Sequence, residues 1–251
     1  MISERGQDMK IRKIFAVIAA TAMICGAAAS CNEKVKTSKE VENNINKAAA
    51  PSDLSGVDFE DTVTAGTGDA YLAIADKDFR MQYLGGNDEN NQLTFDAGVV
   101  HIDGNGDYKV SVNADTKGFR YRATGDPDKE YKPNGLEYAA VIIEDGETAV
   151  PNAVITINKV KVDGKDIDLK KKSFTYTDSG KLRSNIFNEW ISDDGLPDDS
   201  RCEKGALFNN YDSSSPSDIN DGSYSAQLVD TGAFKEWTKV EVEFSISGLD
   251  K

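Results

Sequence analysis

The sequence predicts an all-β protein: an antiparallel β-sandwich of jelly-roll type behind a short N-terminal tether, helical or disordered. Three observations carry that expectation. Apolar and polar residues alternate with a period of two in Tyr108–Val112 and again in Val240–Ile246, the mark of strands with one wet face. Turn dipeptides are dense, with Asp-Gly beginning at Asp103, Asp145, Asp163, Asp194 and Asp221 and Asn-Gly at Asn105 and Asn134. No helical pattern alternates with the strands, so about ten short strands at this spacing indicate packed antiparallel sheets.

In chain order, residues 1–30 read as an export signal. Lys10, Arg12 and Lys13 precede the apolar run Ile14–Ile24, and the small residues Ala27, Ala28, Ala29 and Ser30 follow. The run is too short to span a hydrocarbon core of about 30 Å. Glu4 and Asp8 fit a basic leader poorly, so Met9 is the expected start of translation. The exit Ala28-Ala29-Ser30-Cys31-Asn32 resembles a bacterial lipoprotein signal, with Ala28 where Leu is usual. That resemblance implies lipidation of Cys31 and membrane attachment through the lipid alone. Ordinary cleavage near Ala29 is the other reading. Cys25 lies within the apolar run; Cys202 is then either a lone thiol or, if Cys31 keeps its sulfur free, its disulfide partner.

Residues 31–62 are polar and contain one aromatic residue, Phe59. Thr37 and Glu40 match a capping box, Val41, Ile45 and Ala49 follow at helical spacing, and Pro51 closes the segment. This is the tether. The sandwich is expected over 63–251. Besides the two alternating runs, strands are expected at Ala70–Ala75, Phe79–Leu84, Gly98–Ile102, Gly118–Ala123, Leu136–Ile143, Val154–Val162, Ser173–Thr177 and Tyr224–Val229. The apolar parity of Val154–Val162 switches between Ile157 and Val160, which predicts a bulge or a bend there.

Composition excludes several chemistries. His101 is the single histidine, so no Ser-His-Asp triad can be built without it, and no paired-His metal site or HExxH helix exists. It alternates with Val100 and Ile102 and reads as a strand surface or satisfied core residue, not a catalyst. The net charge of −14 opposes a nucleic acid partner. Removing residues 1–30 takes away Arg5, Lys10, Arg12 and Lys13 but only two acids, Glu4 and Asp8, leaving −16. Hydrophobic content of 39% nonetheless supports a packed core.

Carboxylates are so abundant that no catalytic pair stands out. The Asn188-Glu189 dipeptide suggests a barrel glycosidase, but the repeated βα pattern of that fold is absent. Asp103-Gly-Asn-Gly-Asp107 begins like a calcium loop and then fails, with Tyr108 where Gly is needed and Ala114 at position twelve; a turn is expected instead. A structural Ca2+ held where acid-rich loops meet is the one cofactor expected, and spacing leaves its ligands unknown. Glycan recognition needs an aromatic plane for the C–H face of a sugar and planar polar groups for its hydroxyls. The candidate planes are Tyr83, Tyr121, Tyr131, Trp190 and Tyr211. Tyr131 and Tyr211 lie in polar loops and are expected to be exposed. Core packing is expected for Trp190, in a local helix or turn with Ile186 and Phe187, and a core or sheet-edge place for Trp237, just ahead of a strand.

Several motifs then recur in a recognisable order: Asp69-Ala-Tyr-Leu-Ala-Ile-Ala-Asp76, Gln82-Tyr83, Gly104–Val112, Pro151-Asn152 with Ile155–Gly164, Tyr176–Gly180, Arg183–Trp190 and Val240–Phe244. From about Val63 to Lys251 the chain resembles the non-catalytic β-sandwich accessory modules of secreted glycoside hydrolases from anaerobic Gram-positive gut and rumen bacteria. The resemblance implies a carbohydrate-binding jelly roll with structural calcium. Leu84 stands where that pattern carries Trp. The expectation is therefore an exported, surface-anchored, non-catalytic protein whose partner is a polysaccharide or glycan. A structural or adhesive surface protein that binds protein partners is the alternative.

Overall fold

The computed structural model describes residues 62–63, 65–77, 82–83, 94–95, 98–193, 195–208, 211–212, 214–215 and 219–249, all within the compact unit Ala48–Lys251. The signal, Cys31 and nearly all of the tether lie outside them. The strands are β1 (Thr62–Val63), β2 (Asp69–Ala75), β3 (Gln82–Tyr83), β4 (Thr94–Phe95), β5 (Val99–His101), β6 (Gly106–Asn113), β7 (Tyr138–Ile143), β8 (Val154–Val162), β9 (Lys165–Ile167), β10 (Tyr176–Asp178), β11 (Lys181–Asn188), β12 (Arg201–Cys202), β13 (Gly205–Ala206) and β14 (Lys239–Ser247). Two short helices, α1 (Lys117–Thr124) and α2 (Gly146–Ala149), complete the regular structure with a 3-10 turn at Thr231–Phe234.

The strands form an antiparallel sandwich. The large sheet has the order β10-β11-β7-β2-β3, and β5 shares with β3 the same edge of β2. The small sheet runs β6-β14-β8-β9. Successive strands β5, β6, β7 and β8 alternate between the two sheets, as the jelly-roll expectation requires. The Asp103–Asp107 segment is a turn, as expected, but it carries the chain from one sheet to the other. Tyr108 Oη fixes it, lying 3.0 Å from Asp103 Oδ1 and 2.8 Å from Gly104 O.

Period-two patterning explains the interior. Ala70, Leu72, Ile74, Ala139, Val141, Ile143, Leu182 and Ile186 of the large sheet meet Val110, Val112, Ile155, Ile157, Val160, Val162, Val240, Val242, Phe244 and Ile246 of the small one in a single buried cluster. Strand β14 is the clearest case, buried at every second position and flanked on both sides. The parity switch in β8 is a bulge: Glu243 faces Lys159 and Phe244 faces Ile157, leaving Asn158 as the extra residue.

The segment before β10 is held in an unusual way. Strand β9 covers only Val160–Val162, so the N-terminal half of β8 needs other partners. The Ile155 and Ile157 amides donate to Thr175 Oγ1 at 2.7 Å and Ser173 Oγ at 2.9 Å. Side-chain hydroxyls thus replace a neighbouring strand, and the expected strand Ser173–Thr177 begins as a ladder only at Tyr176.

Other expectations are corrected. Gly118–Ala123 is helical, not extended. Thr116 caps α1 by accepting from the Phe119 amide at 3.2 Å, and Gly125 closes it in the left-handed region with its amide on Tyr121 O. Phe119 and Ala123, one turn apart, are the buried pair. Tyr224–Val229 forms no strand, because it bends and changes partners along its length, from Lys172 to Phe187 to Ile186. Strand β11 lies where a helix or turn was expected around Ile186 and Phe187. It grows from a tight hairpin whose Ser179 and Gly180 have φ of 55° and 81°. Thr62, placed at the end of the tether, opens β1.

Replacing Thr175 by Val keeps its shape but strands the Ile155 amide in the core. We expect a loss of about 1–3 kcal/mol, read as a lower urea midpoint with an unchanged slope.

Candidate functional site

The outer face of the large sheet holds the richest set of aromatic and polar side chains. Tyr71, Ala73 and Ala75 of β2 and Tyr138, Ala140 and Ile142 of β7 form a second buried apolar cluster on this face. Strands β10 and β11 add Tyr176, Asp178, Lys181, Arg183 and Asn185, which sit beside one another because Tyr176 pairs with Arg183 and Asp178 with Lys181. At one end, Lys181 Nζ lies 3.0 Å from Glu144 Oε2, and Tyr71 Oη donates to the same oxygen at 3.0 Å. Arg183 reaches Asp178 at 3.2 Å and Tyr138 Oη at 3.5 Å. Burial pushes the Tyr138 and Tyr176 phenols upward, so both stay neutral hydroxyls.

At the other end the face opens to solvent through Trp190. A register shift after Asn185 leaves Ile186 as an extra residue. Residues 185 and 188, an odd distance apart, are thereby brought to the same face, and Asn188 Nδ2 lies 3.5 Å from Asn185 Oδ1. Asn188 Oδ1 accepts the Trp190 amide at 3.0 Å and fixes the turn that follows β11. The indole stacks on Tyr138 with ring centroids 6.3 Å apart and an interplanar angle of 28°, and 49% of the residue stays exposed. Trp190 is therefore a braced surface ring, which corrects the expectation of core packing. The neighbouring Ile191 instead supplies the apolar contact, packing with Phe174, Tyr176, Leu196, Cys202, Leu207, Tyr224 and Ala226 in a small cluster beneath the loops. Phe208, beside Leu207 of that cluster, is also exposed at 41%.

Tyr131 departs from expectation in the other direction. It is half-buried, its ring stacks on Phe119 at 6.5 Å and 28°, and its hydroxyl bonds the buried Asp76. It lines a hollow of about 180 Å3 with Ala114, Asp115, Glu130, Lys132 and Thr238. Tyr121 is half-buried on α1. Tyr211 is 40% exposed, as its loop suggested. Tyr83 lies in β3 opposite Ile74. Trp237 is fully buried, as expected, and donates from Nε1 to Gly135 O at 3.3 Å. His101 is a surface residue 2.9 Å from Asp69.

Trp190 and Tyr131 belong to the same end of the sandwich. Asn188, Tyr138 and Ala75 pair in one row across the large sheet, and Asp76, which holds Tyr131, follows Ala75. They occupy opposite sides, since Tyr131 packs on the sandwich interior and Trp190 on the outer face.

No group of three or more acidic, His or Cys side chains is arranged to hold a metal ion among the described residues. Many loop acids are acceptors for nearby donors. Ser214 holds Asp212 below the usual carboxylate range, Ser223 does so for Asp221, and the Gly232 amide with Lys170 does so for Asp230. Asp163 accepts two amides, from Thr238 and Lys239. The Asn188-Glu189 pair ends a sandwich strand, not a barrel strand. Cys202 is a buried thiol.

No protein-family model, curated protein or solved structure matches the chain.

The Lys181–Glu144 pair gives a direct test of how this face is held. Lys181→Met leaves Glu144 buried without its cation, and the expected cost is about 3–5 kcal/mol, measured by urea unfolding.

Proposed function

We propose that this is an exported, surface-anchored, non-catalytic glycan-binding protein. The observation that carries the reading is Trp190: a planar ring half-open to solvent, braced by Tyr138 and carried on a turn that Asn188 fixes. Sugars bind such surfaces because their axial C–H groups present an apolar face to the ring. A ring already held in place loses little freedom on binding. The signal-like segment and Cys31 support export and anchoring through lipid, and the resemblance to accessory modules of polysaccharide-degrading enzymes supports the ligand class. Structural calcium, if bound, belongs to this reading as an aid to loop order.

A second reading, adhesion through protein partners, draws on the outer face of the small sheet. Lys109 and Lys239 both pair with Glu241, Lys161 pairs with Glu243 at 3.5 Å, and Lys159 with Asp166 at 3.8 Å. Its hollow of about 370 Å3 is bordered by Asp107, Tyr108, Asn158 and Glu243, and the Tyr108 ring there is half-buried against Phe244.

Affinity electrophoresis through gels containing xylan, mixed-linkage glucan, mannan or pectin separates the two. The expected result is retardation in at least one gel, weakened about tenfold by Trp190→Ala, with an unfolding midpoint that moves little. Unretarded migration in every gel sinks the glycan reading. For the anchor, Cys31→Ala should move the protein from the membrane fraction to the soluble one; retention on membranes would refute lipidation.

A further inference from the structure

We propose that the hollow beside α1 is a second ligand site and that it takes one neutral, polyhydroxylated ring, a single sugar residue. The inference builds on the glycan reading but concerns a different surface from the Trp190 platform. Size sets the first limit. At about 180 Å3 the hollow has room for roughly six waters, below the roughly 300–1,000 Å3 of sites for larger organic ligands.

Its lining sets the second. Tyr131 supplies apolar surface, Asp115 and Glu130 supply acceptors, Lys132 a donor, and Thr238 a hydroxyl. Each carboxylate of the lining has a cationic neighbour: Arg120 pairs with Asp115, and Lys132 lies 3.8 Å from Glu130. A cationic ligand would meet Lys132, and an anionic one would meet two carboxylates. A neutral ring with an apolar face and hydroxyls that both donate and accept meets neither penalty.

The walls are also set in advance. Asn113 Oδ1 accepts the Asp115 amide at 2.9 Å, and Tyr131 is clamped between Phe119 and Asp76. Thr238 is tied from both sides, its amide on Asp163 at 2.9 Å and its carbonyl accepting from Ala114 at 2.7 Å. A small ligand therefore finds its partners positioned before it arrives.

The test is an amide NMR titration of the mature chain with the methyl glycosides of glucose, galactose, mannose and xylose. The expected result is saturable shifts at Ala114 and Thr238 with at least one glycoside. Thr238→Val and the largely exposed Lys132→Ala should each weaken them about tenfold, and Trp190→Ala should leave them unchanged. Tyr131→Ala is unsuitable because it also removes one of the donors to the buried Asp76. Shifts confined to the surroundings of Trp190 overturn the second site and leave the platform standing. No shifts at either place overturn the second site, and unretarded migration in the polysaccharide gels is what would overturn the glycan reading itself.

Discussion

Strands β2 and β7 lie side by side in the middle of the large sheet with both faces closed to solvent, and much of the molecule follows from that. Their inward residues, from Ala70 to Ile74 and Ala139 to Ile143, fill the space between the sheets. Their outward residues, Tyr71 to Ala75 and Tyr138 to Ile142, are buried just as fully. A hydroxyl on such a surface needs a partner, because leaving it dry and unbonded costs more than the bond returns. Tyr71 finds Glu144, whose charge calls in Lys181; Tyr138 finds Arg183, which calls in Asp178. The polar chemistry of β10 and β11 is thus a response to two tyrosines on their neighbours.

The same constraint explains which parts of the fold were legible in the sequence. Strands β6 and β14 have one wet face, so their alternation could be read directly, and even the bulge at Asn158 announced itself as a parity switch. Strand β11 was hidden because its outward side carries a mixture of Lys, Arg and Asn, and because the extra Ile186 breaks the period of two just where Asn185 and Asn188 would reveal it. Helix α1 was hidden for the opposite reason. Phe119, Tyr121 and Ala123 fit a period of two, and only the caps at Thr116 and Gly125 mark the helix.

The aromatic candidates show the limit of local reading. Trp190 lies close to Ile186, Phe187 and Ile191 in sequence and faces water, whereas Tyr131 sits in a polar loop and is half-buried against Phe119. Exposure was decided by neighbours far away in the chain: Tyr138 beneath the indole, and Asp76 at the end of the tyrosine. The acidity of the loops is equally tertiary in meaning. Carboxylates such as Asp163 and Asp230 serve backbone amides at the turns, and those on the small sheet stand opposite lysines. A large negative charge can coexist with a compact fold when so much of it is spent locally.

The position of β14 has a kinetic side. It follows every other strand in the chain yet occupies the inside of the small sheet, where residue 106 pairs with residue 246 and β8 closes from the other flank. Strand β6 has no sheet partner, and β8 only its short pairing with β9, until this stretch is available, so closure depends on contacts of very long sequence separation. Such topologies fold slowly. Under the export proposed above, delayed closure would keep the chain threadable in transit, and the same strand would lock the sandwich afterwards.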